Sequence, residues 1–243
     1  MHSYIFDYFL TQKKYEGVVA KIETRLTDLG LQGKNCHVGP LKSLKSIVRD
    51  ELRSNPKTIV AIGNNVTFNG IINALDGANI TIGIVPVGAN NSLATIFGIN
   101  DEDSACTALS ARLIENISIG AANGFYFVSQ ASIQNTGSII DINGRYTVEP
   151  TGPGAITIIN PSVNPRPGRT INSGSLGVYI QVQKKRFLKN ESDTTFICAN
   201  SVIVNNSRGQ AFKLDGVMDV MPPVTFGVKK NALSVIVGRD RKF

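Results

Sequence analysis

The fold of this chain is decided by the stretch KTIVAIGNNVTFNGIINAL, residues 57–75, together with ITIGIVPVGANNSLATIFGI, residues 80–99. Each stretch begins with a short apolar run, continues through a turn rich in glycine and asparagine, and ends in a helix-like segment. In α/β proteins such a turn, with the partially positive first turn of the next helix, binds phosphate groups through backbone N–H donors. Neither turn contains an acidic residue. The two stretches therefore predict a phosphate-binding frame from which the acidic groups have been removed.

The residues before this stretch also alternate between strand and helix. We predict a strand at Tyr4–Phe9, an amphipathic helix at Glu16–Leu29 and a weaker helical period at Lys42–Leu52. The runs Ile59–Ile62 and Ile80–Val85 are apolar throughout, which is typical of parallel strands that are covered on both faces. This alternation predicts a doubly wound, mostly parallel sheet.

The pattern changes after Glu115, where helical periodicity stops. Short alternating segments separated by Gly, Asn and Pro follow at Gly124–Val128, Ala155–Ile159, Leu176–Val182, Thr194–Ala199, Val224–Val228 and Leu233–Val237. Segments of this kind predict an antiparallel β-sandwich, with a barrel as the alternative. We therefore predict an α/β nucleotide-binding-like domain at residues 1–115 and a β-sandwich domain at residues 116–243, with a long loop at residues 160–175.

Composition indicates a cytoplasmic protein. The apolar runs are broken well short of the ~20 residues that span a bilayer, and the N-terminus does not have the charge order of a signal peptide. The three cysteines, Cys36, Cys106 and Cys198, are an odd number without a C-x-x-C pair, which is typical of reduced thiols. With only His2 and His37 as histidines, we predict no histidine-based metal site.

The net charge of +7 favours anionic partners. Basic residues cluster at Lys184, Lys185, Arg186 and Lys189, at Arg166 and Arg169, and at Arg239, Arg241 and Lys242. A solvated surface explains these clusters most simply, and a peripheral role at an anionic membrane is the sharper alternative. We expect no nucleic acid partner, because no row of interleaved aromatic residues accompanies the charge.

The motifs of the two central turns resemble those of the diacylglycerol kinase catalytic-domain family, which includes sphingosine-type and bacterial lipid kinases. Of the family's GGDGT signature, Gly63 and Thr67 match, whereas Asn64, Asn65 and Val66 do not. The second motif, P-x-G-T-x-N-D-x-A, is matched in PVGANNSLA by Pro86, Gly88, Asn91 and Ala94, and not by Ala89 and Ser92. NAD kinases and phosphofructokinases are more distant relatives of this family.

Two later segments extend the resemblance over most of the chain. The segment SIGAANGFYFVSQAS, residues 118–132, is similar to the family's D-x-G-x-x-N-G-R-Y-F strand, with Ser118 in place of the acid. Near the C-terminus, Leu214, Asp215 and Gly216 match the family's L-D-G-E pattern, but Val217 stands at the glutamate. The four motifs occur in the family's order.

The resemblance implies a nucleotide and a lipid as partners, with ATP and Mg²⁺ as cofactors if the protein is active. It implies nucleotide contacts at Gly63, Asn64, Asn65, Val66, Thr67, Gly88, Ala89, Asn90 and Asn91. In the family the signature aspartate helps to organise Mg²⁺, and the glutamate is the candidate general base. Here the amide of Asn65 has no charge and Val217 cannot accept a proton, so the substitutions predict loss of most phosphoryl transfer.

Asp215 lies close in sequence to the position of the missing base. To serve as a catalytic substitute for residue 217 it would need a local bulge that brings its carboxylate to the same point. Its alternative role is that of a turn aspartate that accepts backbone N–H bonds before Gly216. The acids Asp101, Glu102 and Asp103 are interpreted as the cap and first turn of a helix.

Three functions follow from these observations. The first is an ATP-dependent lipid kinase that phosphorylates a lipid alcohol such as a diacylglycerol, with impaired activity. The second is an inactive pseudokinase that binds a nucleotide, a lipid or a protein. The third is an NAD-kinase-like protein, which a dinucleotide acceptor would distinguish.

Overall fold

The structure, a computed structural model, describes residues 1–164, 174–186 and 189–243. Arg166 and Arg169, together with much of the predicted loop at 160–175, lie outside the described residues. The side chains of the predicted basic cluster at Lys184, Lys185, Arg186 and Lys189 also lie outside what the structure describes.

The chain divides into two compact units. The first comprises residues 1–117 and 231–243, and the second comprises residues 118–230. The strands β5 (Ile114–Ala122) and β16 (Val224–Ile236) contribute residues to both.

The first unit alternates strands and helices in chain order. Its elements are β1 His2–Phe6, α1 Glu16–Asp28, β2 Gly33–His37, α2 Leu44–Arg53, β3 Thr58–Gly63, α3 Asn65–Ala74, β4 Thr81–Pro86, α4 Ser92–Ile96 and α5 Glu102–Ala111, with two short 3₁₀ turns at Tyr8–Thr11 and Lys13–Tyr15. The strand order is β2-β1-β3-β4-β16, and every neighbouring pair in it is parallel. All six residues of β3 are buried, because helices cover both faces of a doubly wound sheet.

The second unit is an antiparallel β-sandwich. Its strands between β5 and β16 are β6 Phe125–Phe127, β7 Gln130–Asn135, β8 Ser138–Ile142, β9 Tyr146–Val148, β10 Gly154–Ile159, β11 Leu176–Arg186, β12 Lys189–Ala199, β13 Val202–Asn206, β14 Phe212–Leu214 and β15 Met218–Val220. One layer contains the order β16-β13-β8-β9 and the other the order β12-β11-β10-β7-β14-β15. Side chains of both layers share one buried core, which includes Ile142, Val204, Ile158 and Phe212. The predicted fold class, a doubly wound α/β region followed by a β-sandwich, is confirmed.

The C-terminal region differs from its sequence interpretation. The segments Val224–Val228 and Leu233–Val237, predicted as two strands of the second domain, form the single strand β16. Its first half pairs antiparallel with β13, and its last residues pair parallel with β4 at Ser234 and Val235. Residues 231–243 therefore belong to the first unit, because β4 offers an open parallel partner there.

Candidate functional site

The first predicted turn is set by Gly63 at the end of β3. Gly63 has a φ of +156°, and a Cβ atom there would lie 2.3 Å from Thr67 Oγ1 and 3.2 Å from the Cβ of Asp7. Only glycine fits this approach between strand and helix. Asn64 has a φ of −122°, and Val66 already lies within α3.

The N–H groups of the first turn of α3 are hydrogen-bonded within the protein. The side chain of Asn64 accepts hydrogen bonds from the first helical turn, including one of 2.9 Å from the Val66 N–H, and Thr67 Oγ1 accepts from the Asn64 N–H at 3.2 Å. The Asn65 N–H donates to the carbonyl of Asn90 at 3.0 Å, and the Phe68 N–H to that of Asn64 at 3.1 Å. These are the donors that a helix N-terminus offers to a phosphate, and here each has a partner within the protein.

The resemblance aligns Asn65 with the aspartate of the GGDGT signature. Its side chain is 3% exposed, its Nδ2 donates to Ser92 Oγ at 2.8 Å, and its Oδ1 accepts from the Leu93 N–H at 3.2 Å. Both atoms of the amide are therefore used to join the first turn to the start of α4.

The second predicted turn lies against the first. Gly88, Ala89 and Asn90 are exposed, and Asn90 has a left-handed φ of +66°. Asn91 Nδ2 donates to the Gly88 carbonyl at 2.8 Å, and the buried Asn91 Oδ1 has no partner among the described residues. The structure thus brings together the two turns at which the resemblance implies nucleotide contacts.

Asp7 is a carboxylate at these turns that the sequence analysis missed. It follows β1, its N–H donates to Ile62 O at 3.1 Å, and its Oδ2 accepts from Thr67 Oγ1 at 2.6 Å. Its Oδ1 accepts from the Phe9 N–H at 3.2 Å, which caps a 3₁₀ turn. The missed signal is a polar residue directly after a strand, since parallel strands end at one edge of the sheet.

The side chains at these turns are a poor ligand set for Mg²⁺, with Asp7 as the one carboxylate described among them. The ion takes oxygen ligands and usually requires one or two carboxylates. Asn65 Oδ1 already accepts an N–H bond, and both oxygens of Asp7 are hydrogen-bonded. Within the described ranges, no cluster of three or more His, Cys, Asp or Glu side chains could hold a metal.

Asp215 lies in the second unit, at a turn between β14 and β15. It is 8% exposed and has a left-handed φ of +46°. Its carboxylate accepts from the N–H groups of Val128, Ser129 and Gln130 at 2.7, 2.8 and 3.0 Å. This arrangement is that of a structural turn aspartate. Val217, half-buried beyond it, donates its N–H to the carbonyl of Leu214.

A second buried acid lies near the start of β1. Glu51, on α2, is 2% exposed and accepts from Ser3 Oγ at 2.8 Å and from Lys34 Nζ at 2.5 Å. Burial opposes ionisation, but the hydrogen bonds from Lys34, Ser3 and Cys36 outweigh it and hold the pKa of Glu51 below its ordinary value. Burial and the Glu51 charge raise the pKa of Cys36 to about 11, so this thiol is a poor nucleophile.

The sequence profile of the diacylglycerol kinase catalytic domain matches residues 6–122. No curated protein matches the chain. A crystal structure of a diacylglycerol kinase from Bacillus anthracis str. Sterne superposes with a TM-score of 0.76 at 15% identity, covering 98% of this chain and 97% of that one. A second structure from that organism, described as a candidate diacylglycerol kinase, has a TM-score of 0.78 at 15% identity, covering 98% and 95% of the two chains. At this identity the two structures establish likeness of fold alone.

Proposed function

Since residues 6–122 belong to the diacylglycerol kinase catalytic-domain family, we propose that this chain is a lipid kinase-like protein that has lost phosphoryl transfer and acts as a binding module. In this proposal the two turns are a structural junction of the first unit and not a nucleotide site. The family membership explains the two strand-turn-helix stretches, and the residues in the turns explain the proposed loss of phosphoryl transfer.

The side chain of Asn65 is the observation that carries the proposal. An acid at this position would offer a charge to a metal ion, whereas the Asn65 amide is 3% exposed and bonded to Ser92 and Leu93. Phosphoryl transfer depends on positioning and on neutralising phosphate charge, for which Mg²⁺ is the usual means. Because both polar atoms of the Asn65 amide are hydrogen-bonded within the protein, the amide neither positions a phosphate nor neutralises its charge through a metal ion.

Two further observations support the loss of activity. The N–H groups of the first turn of α3 are used within the protein, so a phosphate would have to displace those bonds. The family's general base is replaced by Val217, and general-base assistance contributes about 10²- to 10⁴-fold to a rate. Each substitution alone would weaken catalysis, and together they leave neither the metal nor the base.

Calorimetric titration with ATP, with and without Mg²⁺ and at low ionic strength, tests the proposal. We expect no Mg²⁺-dependent heat and no phosphate transfer to a diacylglycerol in mixed micelles. The matched variant Asn64→Gly, Asn65→Asp, Val66→Gly and Val217→Glu restores the four positions and serves to detect a latent nucleotide site. If the parent protein binds ATP with micromolar affinity in the presence of Mg²⁺ and phosphorylates the lipid, the proposed loss of phosphoryl transfer is wrong.

Residual kinase activity is the second candidate, and Asp7 is the observation that favours it. Its carboxylate lies at the turn and bonds Thr67, so it supplies a negative charge where Asn65 does not. If Asp7 supports turnover, Asp7→Asn abolishes it while the parent protein phosphorylates a lipid alcohol. A dinucleotide tested as acceptor in the same assay separates this candidate from an NAD-kinase-like activity.

A further inference from the structure

A tight turn before α2 exposes a leucine. The backbone of Gly39 and Lys42 forms a two-way bridge, with N···O distances of 3.1 and 3.2 Å, around the pair Pro40 and Leu41. The side chain of Leu41 is 99% exposed, although a leucine normally loses water on folding. Because the turn is closed by its own hydrogen bonds, Leu41 is held out in solvent by the backbone.

A stripe of cations begins beside this turn. Lys45, Arg49 and Arg53 follow at a spacing of four residues on α2, so they lie along one face of the helix, and all three are exposed. We call these three residues the α2 stripe. The exposed side chains of Lys42 and Lys57 add positive charge before and after it.

The nearby acids offset only part of this charge. Asp50 lies 3.8 Å from Arg53, and both side chains are mostly exposed. Asp76 lines the same groove as the α2 stripe, and Glu51, on the same helix, is buried against Ser3 and Lys34. Two exposed acids therefore face three cations in the groove and two beside it.

The α2 stripe lines a groove with the C-terminal end of α3. The groove has a volume of about 500 Å³, and its other lining residues include Leu52, Asn73 and Asp76. Phosphate groups carried on flexible headgroups fit an open, cationic groove of this kind, because Lys and Arg bind phosphate oxygens by charge-assisted hydrogen bonds.

We propose that the surface formed by Leu41 and the α2 stripe docks on an anionic lipid bilayer. The cations neutralise lipid phosphates, and Leu41 inserts into the interface between headgroups and acyl chains. An exposed leucine contributes to binding a bilayer but not to binding a phosphate backbone, which favours lipid over nucleic acid. The proposal does not rest on loss of catalysis, since an active kinase and an inactive one would dock in the same way.

Vesicle flotation of the full chain tests this surface. The probes are vesicles of phosphatidylcholine alone and of phosphatidylcholine with about a third phosphatidylglycerol. We expect binding to the anionic vesicles only, falling as salt rises. Each cation near an anionic surface contributes about a fivefold factor, so Lys45→Gln, Arg49→Gln and Arg53→Gln together should lower partitioning by at least tenfold.

The matched control is Arg25→Gln, Arg145→Gln and Arg208→Gln, which removes three exposed cations outside the α2 stripe and gives the same net charge. We expect it to retain most of the binding. Leu41→Ser should lower partitioning about tenfold by removing the inserted side chain, and circular dichroism checks that each variant is folded. Equal losses in the two triple variants would overturn the proposal, as would unchanged binding in Leu41→Ser. Binding of a labelled oligonucleotide with higher affinity than vesicles, lost with the α2 stripe, would assign the surface to nucleic acid instead.

Discussion

At the scale of single residues, the exchange of an acid for an amide changes what a position can do. A carboxylate only accepts hydrogen bonds, whereas an amide donates and accepts at once. Asn65 therefore donates to Ser92 Oγ and accepts from the Leu93 N–H, which joins two turns that are far apart in sequence. The side chain of Asn65 therefore holds the first turn of α3 to the start of α4.

This role predicts the effect of truncating Asn65. Asn65→Ala leaves the Leu93 N–H without its side-chain acceptor in a buried setting, so we expect the free energy of unfolding to fall by about 2 kcal/mol in urea titrations. Val66→Ala, at an exposed neighbouring position, should change it by less than about 0.5 kcal/mol. Similar values for the two variants would show that the Asn65 bonds do not stabilise the junction.

Cysteine reactivity is a second prediction at this scale. The pKa of Cys36 is raised to about 11, mainly by burial, and burial also raises the pKa of Cys106. Only the thiolate reacts with iodoacetamide, and Cys36 holds roughly two orders of magnitude less thiolate at neutral pH than a free thiol.

Peptide mass spectrometry at pH 7.5 should therefore find the exposed Cys198 alkylated first. Cys36 should react faster in Glu51→Gln, because the Glu51 charge is the second cause of its raised pKa. Rapid alkylation of Cys36 in the parent protein would contradict this explanation.

At the scale of elements, helix starts are set by side chains that the sequence displays. Asn64 caps α3 and Ser43 caps α2. Asp101 caps α5 through a 2.7 Å bond from the Ser104 N–H, as the acids at 101–103 predicted. Gly63 and the tight turn before α2 are likewise set by contacts between residues a few positions apart, Gly63 with Thr67 and Gly39 with Lys42.

The Asp101 cap predicts a pH-dependent stability. Hydrogen bonds from Ser104 hold the pKa of Asp101 below its ordinary value of 3.8, so its contribution is present above that pH and is lost as the pH falls through the lower, folded-state pKa. At pH 7 we expect Asp101→Ala to lower the free energy of unfolding by about 1 kcal/mol, and Asp101→Asn by less, because Asn also caps helices.

Urea unfolding at several pH values measures both variants. The difference between Asp101→Asn and the parent protein should vanish below the folded-state pKa, where the parent carboxyl is also neutral. A difference that persists unchanged at low pH would assign the effect to something other than the charge of the cap.

At the scale of the whole molecule, one strand is shared by two cores. Val204 pairs with Val224 of β16 in the second unit, whereas Val235 of the same strand pairs with Ile82 of β4 in the first. Residues 231–243 then add contacts to the first unit, including Phe243 against Phe97 and an Arg241–Glu115 ion pair of 2.8 Å. None of the helices that the structure describes meets the length and hydropathy of a membrane span.

Because β16 belongs to both units, the position of a truncation along it determines which unit loses stability. Val235 is fully buried, so Val235→Ala should lower the free energy of unfolding by roughly 2 kcal/mol, whereas Ile203→Ala at a partly exposed site on β13 should cost less. Hydrogen exchange should accelerate in β4 more than in β13 for Val235→Ala. Equal acceleration in the two strands would contradict the pairing of this half of β16 with the first unit.

The sequence by itself determined the features that depend on near neighbours. The strand and helix periods, the glycine at the end of β3 and the cap of α5 were all readable, because hydrogen bonds and steric limits act over a few residues. The motif order was sufficient to indicate the family. It also located the two turns; the missing acids at Asn65 and Val217 stay a prediction.

Only the tertiary structure decided what those residues touch. Both hydrogen bonds of the Asn65 side chain, the approach of Asp7 to Thr67 and the continuity of β16 join positions that are distant in the chain. Strand pairing and burial depend on the neighbours that the fold supplies, which local propensity does not encode. A single interruption at residues 229–232 was therefore predicted as a break between strands, while the sheet partners on either side keep the strand continuous.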